Sequence, residues 1–298
     1  MQLPDAAAHD HPRRGALLML AAVALFALMD AGLKTLSAHY PPFQVAALRG
    51  LASLPLVLAW ALWTAGPRAL LRVRWPLHLL RGALGIAMMA SFVYALKRLP
   101  LSTAYSIFFV APLLITALSV PFLGERVGPR RWTAIAIGLL GVLVVLRPSG
   151  QGMFTLAGLA VLVAATGYAI SAITVRVLAR TDSTQAITFW LLGLMALGAG
   201  ALALPDWVPL RGEHLWIVAA IGVAGALGQY TITEAFRLGE ASLIAPLEYT
   251  ALVWGLALDL ALWGVLPDAA TWAGAAIIIA SGLYLLRRER VHAEAEHP

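Results

Sequence analysis

The chain has 298 residues, 61% of them hydrophobic and 12% charged, with a mean hydropathy of +0.83. Soluble domains carry about 25% charged residues. Half that proportion cannot cover a globule of this size, which excludes a soluble enzyme, a disordered chain and a soluble nucleic-acid binder. The net charge of +6 sits largely on arginines between apolar blocks, where it sets membrane orientation and not a nucleic-acid surface. Cysteine is absent, which removes disulfides, thiolate metal sites and thiol nucleophiles.

The apolar blocks run about 18–25 residues, the length that crosses roughly 30 Å of hydrocarbon. Many such blocks predict helices rather than a barrel. In chain order, ten spans are expected at 15–37, 43–64, 77–97, 101–123, 131–147, 154–178, 184–204, 214–235, 241–265 and 269–287. Arg13 and Arg14 before the first block imitate a signal peptide. Asp30 and Lys34 inside that block, with further spans behind it, predict an uncleaved first helix instead. The connections are short and rich in Pro, Gly and Arg, as at Pro41-Pro42, Gly66-Pro67-Arg68 and Pro148-Ser149-Gly150. The expected organisation is a cytoplasmic tail at 1–14, a five-helix unit at 15–148, a second at 149–290 and a polar, disordered cytoplasmic tail at 291–298.

With the N-terminus inside, fifteen Lys and Arg residues fall on the inner side, Arg81 among them, and five on the outer side. That bias places both termini in the cytoplasm, with an even number of spans. Sliding the chain by 140 residues aligns 95–147 with 235–287 without a gap, pairing Gly124 with Gly264 and Trp132 with Trp272. A repeat of five spans, an odd number, predicts two halves that enter the membrane in opposite directions. Inverted repeats of this kind are common in secondary transporters. The expected fold class is therefore an all-α polytopic membrane protein with ten helices in two inverted five-helix repeats.

Ionisable groups at membrane depth need a partner or a wet cavity. Asp30 and Arg49 share a depth on spans 1 and 2. They are expected either to lock those spans as an ion pair or to gate a path, with Lys34 snorkelling one turn away. Glu248 on span 9 and Gln229 on span 8 share a depth on the other side. Under the repeat, Glu248 and Tyr249 correspond to Phe108 and Phe109, which places the four around one pseudo-axis where inverted-repeat carriers hold substrate. Core packing or lipid contact is the plain alternative for each aromatic residue. Tyr168 and Trp254 lie deep enough to join the site. Tyr94 and Tyr105 fit an interfacial belt or the rim of an outer opening, and Asp259 an interfacial position. Pro112 and Pro246 interrupt spans 4 and 9. No G-x-x-x-x-G-K-[ST] motif occurs, so no ATP hydrolysis is expected of the chain. All seven histidines fall in tails or at span ends, and no metal, cofactor or catalytic constellation is expected.

The stretch Ala46-Ala47-Leu48-Arg49-Gly50 resembles the alanine-rich segment ending in Arg of the EamA family, in the drug/metabolite transporter superfamily. Pro121-Phe122-Leu123-Gly124-Glu125-Arg126 resembles that family's G-E-R element. The second half keeps Gly264 but has Val265 in place of the Glu. The resemblance covers nearly the whole chain and extends to bacterial aromatic amino-acid exporters. It implies a multi-pass secondary transporter of the inner membrane, not an enzyme. Such a carrier would export amino acids, aromatic or otherwise apolar, and related small metabolites by alternating access. A carrier of lipid-linked or other amphipathic metabolites is the alternative. In that scheme Phe108, Phe109, Tyr249 and Trp254 contact the apolar part, Gln229 and Glu248 bind the ammonium, and Asp30 with Arg49 steadies an outer gate. The implied partners are a small-molecule substrate and the bilayer, with no nucleic acid and no ATPase subunit, in a monomer or homodimer.

Overall fold

The computed structural model describes residues 11–99, 104, 107–146 and 155–263, with positions 269, 272–274, 276, 277, 280, 281 and 284 beyond them. Every regular element among the described residues is helical. They are α1 (His11–Ser37), α2 (Pro42–Thr64), a short α3 (Pro67–Leu71), α4 (Trp75–Leu96), α5 (Ala111–Leu123), α6 (Pro129–Leu146), α7 (Leu156–Leu178), α8 (Thr184–Ala203), α9 (Leu215–Leu238), a short α10 (Ala241–Ile244), a 3₁₀ segment (Ala245–Thr250) and α11 (Ala251–Trp263). Their ends follow local chemistry. Proline opens α2 and stands in the first turn of α4, where its missing N–H costs nothing. The side chains of Thr155 and Ser183 accept from the backbone N–H of Gly158 and Ala186, capping α7 and α8. Gly124 ends α5 at φ 71°, a left-handed conformation that favours glycine.

The expectation of ten spans is corrected. Among the described residues, six helices are long and apolar enough to cross a membrane: Arg13–Ser37, Pro42–Thr64, Trp75–Leu96, Leu156–Leu178, Thr184–Asp206 and Gly212–Leu238. In the expected fourth span, residues 104, 107 and 108 are helical, a turn follows at 109–110, and α5 then runs for 13 residues, about 20 Å. The fifth contributes the shorter apolar stretch Trp132–Gly141. The ninth is interrupted: α10 gives way to the 3₁₀ segment that contains Pro246 before α11 begins. Proline lacks the N–H that would continue the ladder. The tenth lies mostly outside the described residues, as do Tyr105 and the tail at 291–298; the side chain of Asp259 also lies outside them.

The two inverted five-helix repeats are corrected with the count. The long described helices number three before residues 147–154 and three after, and they do not form two sets of five. The placement of both termini in the cytoplasm, which rested on ten spans, loses its basis. Among the described residues, the 140-residue match runs through segments where helices are short or interrupted. Hydropathy reports that a segment is apolar, and a broken apolar segment scores like a continuous one.

The long helices pack in a bundle. α1 lies along α9, α2 against α8 and α9, α4 against α7 and α8, and α5 against α7. Two glycines bring one helix against the backbone of another. A Cβ on Gly50 would stand 2.8 Å from the backbone nitrogen of Ala196, and one on Gly222 would stand 2.8 Å from the carbonyl oxygen of Ala52. Small residues at helix contacts are how membrane bundles gain dispersion energy without a hydrophobic driving force. Outside the bundle, Leu17, Trp63, Leu156 and Leu197 are exposed, an apolar surface suited to lipid. Polar ties cross between helices and loops. Tyr40 bonds His214 at 2.8 Å, Ser53 donates to the Gly222 carbonyl at 2.9 Å, and His78 Nε2 meets Asp182 at 2.8 Å.

Candidate functional site

A cavity of about 170 Å³ opens at the centre of the bundle, where α1, α2, α4, α7 and α9 meet the turn before α5 and the 3₁₀ segment. Its wall is mainly apolar, with Phe26, Met88, Met89, Phe92, Phe108, Phe109 and Phe236. Seven polar or charged side chains besides Tyr168 join it: Asp30, Arg49, Arg81, Ser171, Gln229, Thr233 and Glu248. Phe108 packs between Phe92 and Tyr168, with ring centroids 5.5 Å and 5.6 Å away. Such edge and tilted contacts hold aromatic rings in place.

The helix interruption at 245–250 positions Glu248. A continuous helix would bury its backbone polar groups in their own ladder; the 3₁₀ segment turns a carboxylate toward the cavity at 7% exposure. Tyr168 of α7 donates its hydroxyl to Glu248 Oε1 at 2.8 Å. Gln229, one turn from Thr233 on α9, donates Nε2 to the Thr233 hydroxyl at 3.4 Å. Arg49 is 3% exposed. It donates Nε to the Met29 sulfur at 3.1 Å and Nη1 to the Met195 sulfur at 3.6 Å. Its guanidinium stands 5.9 Å from the centre of the Phe26 ring, and the Asp30 charge acts on it.

Of the residues singled out from sequence, Asp30, Arg49, Phe108, Phe109, Tyr168, Gln229 and Glu248 meet at this cavity. Four others do not. Tyr249 is buried behind Phe109, with ring centroids 5.6 Å apart, and it fills the space left by the missing side chain of Gly138. Its hydroxyl has no partner among the described residues. Trp254 is 43% exposed on α11. Tyr94 lies beneath the Arg98 guanidinium, 3.7 Å from the ring centre. Lys34 stands half-buried one turn past Asp30. None of the four is on the cavity wall.

Sequence reasoning missed Arg81. The charge count groups it with the inner-side arginines, yet it is 2% exposed and lines the cavity. The available signal was its place one turn inside an apolar block beginning at 77. Ser171, Met88, Met89 and Phe236 carried no signal, because a helix wall facing a cavity has the composition of a core. Among the described residues, no cluster of His, Asp and Glu could hold a metal ion.

Two matches to the EamA-like transporter family cover residues 13–147 and 155–287. The chain belongs to that family. It is 30% identical over 286 residues to a riboflavin transporter of Vibrio cholerae, covering 94% of this chain and 95% of that one. It is 28% identical over 282 residues to a pseudopaline exporter of Pseudomonas aeruginosa, covering 94% and 99%. Against an S-adenosylmethionine uptake transporter of Rickettsia prowazekii the identity is 26% over 264 residues, covering 89% of each. A solved crystal structure superposes with a TM-score of 0.79 at 22% identity, covering 90% of this chain and 95% of that one, and shares the fold. The protein is thus a multi-pass membrane transporter of small metabolites, in a transporter family and not a catalytic one.

Both stretches that resembled the EamA family have structural roles here. In the first, Arg49 reaches the cavity while Gly50 brings α2 onto α8. In the second, Gly124 ends α5. Glu125 then accepts the backbone N–H of Ala241 at 2.8 Å, with Arg176 Nη2 3.7 Å away.

Proposed function

We propose that this EamA-family transporter carries amino acids with aromatic or other apolar side chains, and related small metabolites, through the central cavity by alternating access. The carrying observation is the pairing of an aromatic wall at Phe92, Phe108 and Phe109 with a buried carboxylate, Glu248, that has one hydrogen-bond donor, Tyr168, among the described residues. A carboxylate accepts up to about four hydrogen bonds, so Glu248 has capacity for an ammonium. Gln229 supplies an amide on the wall of the same cavity. Asp30 and Arg49 form a charged station on α1 and α2 suited to a gate.

The cavity size also favours a small substrate. An apolar cavity of about 150 Å³ accommodates benzene, whereas pockets for drug-sized ligands run about 300–1,000 Å³. A second reading, transport of a larger heteroaromatic metabolite, is favoured by the likeness to the Vibrio cholerae riboflavin transporter along nearly the whole chain.

Counterflow in proteoliposomes containing only this chain separates the readings. Vesicles are loaded with one unlabelled compound from a panel of amino acids or with riboflavin, and labelled uptake is followed without ATP or an ion gradient. The expected result is uptake of labelled phenylalanine that depends on internal aromatic or aliphatic amino acid. Phe108→Ala and Glu248→Gln should each lower it about tenfold, the scale of one lost aromatic or charge-assisted contact. Exchange confined to riboflavin would replace the first reading with the second. Wild-type exchange by both variants would remove the site.

A further inference from the structure

Arg81 has no part in that binding scheme, yet it is among the largest fully buried side chains of the described residues. Its Nε donates to the Ser171 hydroxyl at 3.3 Å and its Nη1 to the Ile187 carbonyl at 3.0 Å. A guanidinium carries five N–H groups, and no other acceptor meets them among the described residues. None of the described carboxylates forms an ion pair with it. Arg49 differs, because the Asp30 charge is within its reach. A buried cation without a counter-ion is costly, and inside membranes such groups mark substrate and ion paths.

The partners of Arg81 and Glu248 share a helix face. Ser171, which receives Arg81, is three residues from Tyr168, which donates to Glu248. Residues three apart on a helix stand on one face, about 4.5 Å apart along the axis. α7 thus holds the partner of a guanidinium and the partner of a carboxylate one turn apart on one face, and both charged groups line the cavity without an ion pair between them.

We propose that Arg81 binds the carboxylate of the transported molecule, and that Arg81 and Glu248 together select zwitterions whose opposite charges stand a few ångströms apart. The planar fork of the guanidinium suits a carboxylate bidentately. Ammonium goes to Glu248, and the apolar part lies on Phe92 and Phe108. The assignment rests on the reading of the cavity as the site for aromatic metabolites, and it names the charge pattern of that class.

The test uses the purified full chain in detergent and three probes that share a phenylethyl group. L-phenylalanine carries both charges, phenethylamine lacks the carboxylate, and 3-phenylpropionate lacks the amine. Thermal stability is read by size-exclusion chromatography after heating, over a concentration series of each probe. Phenylalanine should stabilise the protein at concentrations about tenfold or more below those phenethylamine requires, the weight of a charge-assisted contact. Arg81→Gln should bring phenylalanine down to the level of phenethylamine, and Arg81→Lys should recover part of the difference. Ser171→Ala, which loosens Arg81 without removing it, should weaken phenylalanine more than it weakens phenethylamine. If Arg81→Gln does not yield folded protein, the wild-type comparison and Ser171→Ala decide. Equal stabilisation by phenylalanine and phenethylamine, or discrimination that survives in Arg81→Gln, overturns the role of Arg81 and leaves the aromatic cavity standing. A melting profile indifferent to all three probes overturns the aromatic reading, and the role of Arg81 falls with it.

Discussion

Asp182 lies in the connection between α7 and α8 and receives three donors. Thr181 donates its hydroxyl at 2.7 Å, His78 its Nε2–H at 2.8 Å and Arg74 its backbone N–H at 3.1 Å. Burial disfavours the charged carboxylate, but the three hydrogen bonds outweigh it and hold the group below its usual range. The native protein therefore binds this proton less readily than the unfolded chain. The resulting stability is present above the unfolded value, about 3.9, and is lost as pH falls through the lower folded value. Asp182→Asn should accordingly lower the melting temperature at pH 7, and the deficit should shrink as pH is taken below about 4. A deficit constant from pH 7 to 3 would show that charge has no part in the contact. Arg81 makes the complementary point about legibility. Its residue type and its distance from a span boundary were readable, but whether it meets solvent or a cavity depended on α7 and α8, more than 80 residues away in sequence.

Among the elements, α2 meets the backbones of both α8 and α9. Gly50 and Gly222 admit backbone of α8 and α2 to distances no Cβ tolerates. Gly222→Ala should force α9 off α2 and cost about 1–3 kcal/mol of stability, as overpacking typically does. Gly128→Ala is the matched control: nothing stands within 4 Å of its added Cβ, and its melting temperature should stay near that of the wild type. Equal losses from both would mean that helix contact is not the cause. The same scale explains the error in span number. Alternation of apolar blocks with Pro- and Arg-rich connections located the six long helices to within a few residues. At α5 and around Pro246 it reported apolar length where the chain forms shorter pieces. Pro246 itself was legible as an interruption. That the interruption presents Glu248 to the cavity was not, because this depends on α7 providing Tyr168 opposite it.

For the molecule as a whole, the contact between Glu125 and Ala241 joins α5 to the start of α10, on opposite sides of the 147–154 connection. Alternating access requires parts of the bundle to separate and rejoin around the cavity. Because the chain has no cysteine, a pair introduced by Glu125→Cys and Ala241→Cys would be unique in it. Joining the two with a short bifunctional thiol reagent should arrest counterflow, and reduction should restore it, while each single variant treated alike keeps exchanging. Undiminished exchange by the cross-linked protein would show that this end of the bundle does not need to open.

Composition and block length by themselves determined that this is a helical membrane protein. Each helix must satisfy its own backbone in lipid, so its apolar length is written locally in the residues. Two short stretches were enough to suggest the family, since a glycine at a helix contact and a glycine at a helix end are needed where they stand. The cavity was decided only by the tertiary structure. Its wall gathers side chains from α1, α2, α4, α7, α9 and the 3₁₀ segment, and a residue facing that space has the same local sequence as one facing the core. Whether Arg81 is a loop cation or a buried one, and whether Tyr249 lines the site or packs behind it, depends on which neighbours the bundle brings to each face.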